Sequence, residues 1–321
     1  MLGKSTVAKI GYLGSRGTHL YSFNRDFNLP PEGRYFNDEE YYQARPLTQV
    51  APGRWEDLTT VVSDRSNNYH SFSAELQTRF WHGLTSQLSY TWSKQMDNAF
   101  GEQVDIHTGH VIGGQWHPDW SYGPSDANHT HRLTASFTYQ LPGMSIANRW
   151  LSEAVGGWQI SAIATFETGA PFTVWNGNTS SYDRMGDVPF RLCNGNVDRG
   201  QRTPFRYFNT DCFMEPTAST DPQFTDQGIN NLAVSRGNES RNGLTGPGIN
   251  NWDMGLQKAF ALRSEKRRLI FRADAFNVFN HTQWSGVNNW DDRLNNPQSE
   301  FGWVNGARSP RRVQLNMRFV F

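Results

Sequence analysis

Ser71-Phe-Ser-Ala-Glu-Leu-Gln-Thr-Arg-Phe80-Trp-His-Gly-Leu-Thr-Ser-Gln-Leu-Ser-Tyr-Thr-Trp-Ser93 is the stretch whose reading decides the fold. Phe72, Ala74, Leu76, Thr78 and Phe80 fall on one face of an extended chain, and Ser71, Ser73, Glu75, Gln77 and Arg79 fall on the other, because successive side chains of a strand point to opposite sides. From Leu84 the pattern repeats, with Leu84, Leu88, Tyr90 and Trp92 opposing Thr85, Gln87, Ser89 and Thr91. Trp81-His82-Gly83 between them is long enough only for a hairpin. Runs of about ten residues are what a tilted strand needs to cross an outer membrane.

The same rhythm continues outward. Leu133, Ala135, Phe137, Tyr139 and Leu141 oppose Arg132, Thr134, Ser136, Thr138 and Gln140, and Pro142-Gly143 stops that strand. Further runs begin at Trp158, Trp252, Arg268 and Arg312, the last ending on Phe319 and Phe321. A weaker first run spans Thr6 to Leu13, which makes about eight strands. Short turns near 81–83, 142–157 and 261–267 alternate with long polar connections near 15–68, 96–131, 176–249 and 280–310. A soluble β-sandwich also alternates, but its strands average five to six residues. Short turns on one side and long loops on the other instead describe an all-β, antiparallel transmembrane barrel portion with periplasmic turns and extracellular loops. Within it, Lys258 interrupts an apolar face beside Phe260 and is expected at the periplasmic edge, its ammonium among headgroups.

Composition agrees with this reading. Hydrophobic residues are 36% and mean hydropathy is −0.68, yet aromatics reach 14%, with 12 Trp, 11 Tyr and 21 Phe. Few aliphatics and many aromatics suit a thin apolar skin with aromatic girdles. No run approaches the roughly 18 consecutive apolar residues of a spanning helix. Lys plus Arg equals Asp plus Glu at 30 each, so the basic footprint of a nucleic-acid binder is missing. The chain opens without an apolar signal region and already reads as a strand at residues 5–14, so we expect a portion upstream of Met1.

Candidate chemistry is sparse. Cys193 and Cys212 lie close together in a polar, Asn- and Gly-rich stretch that reads as an exported loop, where a disulfide forms and persists. Between Met96 and His131 stand Asp105, His107, His110, His117, Asp119, Asp126, His129 and His131. Their spacing matches no zinc pattern, and we read them as solvated loop residues. No G-x-S-x-G elbow occurs, and we expect neither catalytic residues, nor a cofactor, nor a metal. Glu75, Arg79, Arg132, Glu167, Asp253, Arg272, Asp274 and Arg318 form a mixed-sign inward set that reads as hydrophilic lumen lining. Trp116, Trp120, Trp175 and Trp290 in the long loops could stack on a planar ligand, although loop packing is the simpler use.

From Ile10-Gly-Tyr-Leu-Gly-Ser-Arg-Gly-Thr-His-Leu20 onward the chain resembles the C-terminal barrel of Oar-like TonB-dependent receptors of the carboxypeptidase-regulatory-like type. Ser89-Tyr-Thr-Trp-Ser-Lys94 with Asp97, Gly156-Gly-Trp-Gln-Ile160, Thr168-Gly-Ala-Pro-Phe-Thr-Val174, Gly243 to Gly248, Phe271 to His281 and Arg312 to Phe321 follow in that family's order. The resemblance implies energised passage of a large or scarce solute across the outer membrane, through a plugged barrel of about 22 strands driven by the TonB complex. On this reading residues 1–321 are the C-terminal barrel portion, with the plug, the N-terminal domain and the remaining strands absent, and would not transport alone. The open alternative is a self-contained small barrel acting as an adhesin or structural protein. The resemblance also makes Phe319 and Phe321 the terminal signal read by the barrel-insertion machinery.

Overall fold

The computed structural model describes residues 5–30, 38–54, 58–81, 83–98, 118–142, 155–176, 188–215, 237–262, 264–294 and 296–321. Eight long strands carry the fold: β1 Thr6–Asp26, β2 Thr59–Trp81, β3 Leu84–Asp97, β4 His131–Gln140, β5 Trp158–Glu167, β6 Ile249–Leu262, β7 Ser264–Phe276 and β8 Arg312–Val320. They pair antiparallel in chain order from β1 to β8. Among the described residues β1 pairs with β2 alone and β8 with β7 alone, so the other edge of each meets no described strand.

Register puts the apolar residues in continuous rows. Tyr12, Phe72, Trp92 and His131 stand opposite one another across β1 to β4. Near the short turns Trp158, Lys258, Phe271 and Met317 make a second row. Eight residues separate Leu84 from Trp92 on β3, about 20 Å at the usual strand tilt and close to the ~25 Å apolar band of such walls. The large side chains of this band are exposed, among them Ile10, Leu88, Leu256, Leu315 and Met317. That is what a lipid-facing surface requires, since burial there is supplied by acyl chains rather than by protein.

Two expectations need correction. The first strand does not stop at Leu13, nor is 15–68 a loop: β1 and β2 run on as a hairpin, with register shifts after Gly17, until Asp26 meets Thr59. Strands of 21 and 23 residues far exceed the roughly ten that a bilayer needs, so their upper halves stand clear of it. Above Gly14 neither face meets lipid, and Ser63-Asp-Arg-Ser-Asn-Asn68 therefore shows no apolar alternation. Lys258 lies on the apolar face near the short turns, but its ammonium is not among headgroups. It is buried, donates to the Gly156 carbonyl at 2.9 Å and sits over the rings of Trp158 and Phe260.

Candidate functional site

Among the described residues the larger cluster of buried hydrophobic side chains lies outside the wall, among the long connections. Val174, Tyr207, Phe208, Cys212, Phe213, Leu244 and Phe301 are each almost wholly buried, with Phe172, Trp284, Val287 and Val304 packed against them. Phe208 meets Phe213 and Phe301 edge to face, at 5.6 and 5.2 Å between centroids. The connections thus form a folded cap on the long-loop side. The Cys193–Cys212 disulfide closes it at 2.01 Å between sulfurs.

Two of the quoted motifs cross inside this cap. Thr245 pairs with Pro171 and Leu244 with Phe172, and the Gly246 amide donates to the Ala170 carbonyl at 2.8 Å. A Cβ at Gly169 would lie 1.9 Å from the Gly246 carbonyl oxygen, so only glycine admits the crossing. In Phe276-Asn-Val-Phe-Asn280, both Asn277 and Asn280 take positive φ of 51°, a conformation asparagine tolerates better than most residues. The Asn277 amide nitrogen donates to Asp253 and the Asn280 side chain accepts from the Arg311 amide, both at 2.9 Å, which turns the chain out of β7.

The residues that lock cap to wall were not anticipated. Arg241 is 1% exposed. Its guanidinium donates to the Asp97 carbonyl at 2.8 Å and to the Asp97 carboxylate, and reaches Asp126 at 3.1 Å. Asn242 adds donors to Asp126 at 2.6 Å and to the Pro124 carbonyl at 2.7 Å. These partners stand more than a hundred residues apart, and no spacing in the sequence signals them.

Glu239 is a further buried ion of the cap, at 0% exposure. Arg191 donates to its Oε1 at 3.3 Å, while Oε2 has no hydrogen-bond partner among the described residues. Burial pushes its carboxyl from 4.5 up to about 6, against the opposing pull of the Arg191 charge. The folded cap therefore holds this proton more tightly than the unfolded chain does. The contribution of Glu239 to cap stability is fully present below pH 4.5 and is lost as pH rises through about 6, by about 2 kcal/mol. Glu239→Gln should remove that slope and leave the cap more stable at neutral pH. Denaturant unfolding of the cap, followed by tryptophan fluorescence at pH about 4 and about 7, checks this; equal pH slopes in parent and variant would refute it.

Beneath the cap, the polar face of the sheet lines a hollow of about 520 Å³ bordered by Gln77, Gln87, Ser136, Gln159, Asp253 and Arg272. Glu75 accepts from Gln87 at 3.1 Å and from Lys9 at 3.5 Å, and Arg272 donates to Asp274 at 2.8 Å. Arg132 and His129 both reach Glu167, at 3.2 and 3.1 Å. The inward charges are thus mostly matched locally, as in a water-lined wall. Amides and hydroxyls make up much of the described polar face.

Of the tryptophans singled out, Trp175 is buried and stacks on Trp290 at 6.3 Å. Those two pack against each other. Trp120 is 40% exposed on the turn Pro118–Ser121, and Trp116 lies outside the described residues. Asp105, His107, His110 and His117 also lie outside them. Among the described residues no three His, Cys, Asp or Glu side chains come together as metal ligands. His129 contacts the Thr168 carbonyl at 2.8 Å and His131 the Tyr90 hydroxyl at 2.8 Å.

A curved antiparallel wall, apolar and aromatic outside, polar within and capped by folded connections, defines an outer-membrane β-barrel protein. Residues 1–314 match the family described as Outer membrane beta barrel domain, and the chain belongs to that family, which places it in the outer membrane. The crystal structure of the outer membrane transporter YddB from Escherichia coli is similar at TM-score 0.49 and 11% identity, covering 100% of this chain. This chain spans 31% of that one's length. No curated protein matches the sequence.

Proposed function

We propose that this chain is the C-terminal wall of a larger barrel, a TonB-dependent transporter of the Oar-like type that carries a large or scarce solute, and that it does not transport alone. The open sheet carries the reading. Among the described residues no strand pairs with the outer edge of β1 or β8, and in lipid each unpaired backbone group costs several kcal/mol. Further strands meeting both edges would remove that cost and widen the lumen enough for a plug. The partners on this reading are outer-membrane lipid, the remaining strands and plug, the TonB complex acting through the plug, and the solute. The polar, charge-matched inner wall is consistent with a passage rather than a reaction site, and we assign no enzymatic activity.

The test is to express residues 1–321 behind a signal sequence and to measure heat-modifiable mobility and TonB-dependent uptake. Failure to insert as a monomer is expected. TonB-dependent uptake by the chain alone would overturn the segment reading, and a stable heat-modifiable monomer without uptake would favour the small closed barrel.

On the same reading Phe321 and Phe319 are the assembly signal. Phe319 faces lipid opposite Leu269 and stacks on the 91% exposed Phe321 at 5.7 Å. Their exposure leaves a terminal aromatic pair accessible on an open edge strand. Deleting Phe321 from the complete protein should lower the folded barrel recovered from the outer membrane, read as heat-modifiable band intensity; an undiminished band would count against the signal.

A further inference from the structure

A second cavity, of about 760 Å³, lies where the cap overhangs the outer surface of the wall. Such a volume is within the range of small-ligand sites, about 300–1,000 Å³. Its floor is Tyr90, Leu133 and Phe166. These three stand in one register row on the lipid face of β3, β4 and β5, just below the row that holds Trp92 and His131. The floor therefore continues down into the acyl zone, while the roof belongs to the cap outside the membrane.

That roof is cationic. Arg199 and Arg202 border the cavity with His281, and neither arginine pairs with a carboxylate among the described residues. Arg202 is held in place by the Val197 carbonyl at 2.8 Å and the Tyr207 hydroxyl at 2.7 Å, with its guanidinium over the Tyr207 ring at 4.5 Å. Arg199 is exposed on the turn Arg199–Gln201. The acidic side chain at the margin, Glu167, is already engaged by Arg132 and His129. One guanidinium held in place and a second, exposed one, neither paired with a carboxylate among the described residues, over an apolar floor open to lipid, match a ligand with a phosphate above and a hydrocarbon chain below.

We infer that this cavity binds a phosphorylated lipid of the outer leaflet, its phosphate against Arg199 and Arg202 and one acyl chain along Tyr90, Leu133 and Phe166. Bound there, the lipid joins cap to wall from the membrane side.

The inference is tested on the complete protein, purified in a phosphate-free detergent and titrated with diphosphoryl lipid A while tryptophan fluorescence is followed, since Trp284 borders the cavity. Saturable binding is expected, weakened at least about tenfold by Arg199→Glu. The same loss is expected when a phosphate-free glycolipid with matching chains replaces the probe. Arg199 carries no structural hydrogen bond among the described residues, so the variant should fold, which heat-modifiable mobility checks. If it does not, the comparison of the two lipids on the unaltered protein still decides. Equal binding of both lipids, or equal binding by the parent and a folded Arg199→Glu variant, would overturn the site. Competition by millimolar inorganic phosphate alone would identify a soluble phosphate ester as the ligand and overturn the lipid assignment.

Discussion

Arg241→Met is expected to destabilise the cap by about 3–5 kcal/mol, the usual consequence of removing one partner from a buried ion pair. Asp97 is only 5% exposed, so it would be left charged and poorly hydrated at the top of β3. Asp126, whose side chain is 56% exposed, can return to water and should contribute little. The loss comes less from the attraction that disappears than from the charge left behind. Asp97→Asn in the Arg241→Met background should therefore restore part of the stability, where independent contributions would simply add. Hydrogen exchange separates cap from wall: amides of 237–245 and 171–176 should lose protection while those of β4, β5 and β6 keep theirs. Unchanged protection in the cap segments would show that Arg241 does not hold them.

How much of this was legible in the sequence follows from which solvent each segment meets. Between Leu84 and Trp92, or His131 and Tyr139, one face meets hydrocarbon and the other water, so composition must alternate, and register and sidedness can be read directly. In β1 beyond Gly14 and in β2 before Asn68 the apolar alternation ends, so the sequence there reads as loop although it forms a hairpin. The cap is harder for a different reason. Val174, Phe208 and Leu244 stand far apart in the β5–β6 connection and Phe301 in the β7–β8 connection, with no common period, so their convergence is a tertiary fact that no window of sequence contains. The same holds for Arg241 with Asp97, and for Arg199 above Phe166. Cys193 and Cys212 were legible because a short covalent loop needs only proximity along the chain. Lys258 was placed on the right face and at the right end of its strand. The carbonyl it meets belongs to the Gly156 turn, which only the paired strands β5 and β6 bring within reach.

The disulfide carries the other large expected effect. Cys193 and Cys212 are separated by 19 residues, and closing a loop of that size removes enough unfolded-chain freedom to stabilise by about 3 kcal/mol. The constraint acts where it matters most: Cys212 is wholly buried beside Phe213, its carbonyl accepts from the Leu192 amide at 2.8 Å, and its sulfur accepts from Asn209 at 3.2 Å. The closed segment also contains Arg199, Arg202, Tyr207 and Phe208, so it supplies both core residues and the cationic roof of the outer cavity. Cys193→Ala with Cys212→Ala should therefore raise proteolysis of 193–212 about a hundredfold, as ~3 kcal/mol of lost closure requires when opening is fast. In the complete protein the barrel should stay heat-modifiable, because none of its strand pairing passes through this loop. Alanine is preferred to serine at 212, where a hydroxyl would enter an apolar core and add a second loss. Maleimide labelling supplies the independent check. The folded, unreduced parent should not react, reduction should expose Cys193 first because it is the exposed partner, and Cys212 should follow only as the cap opens. Simultaneous labelling of both thiols on reduction would mean that the cap does not hold together around Phe208 and Phe213.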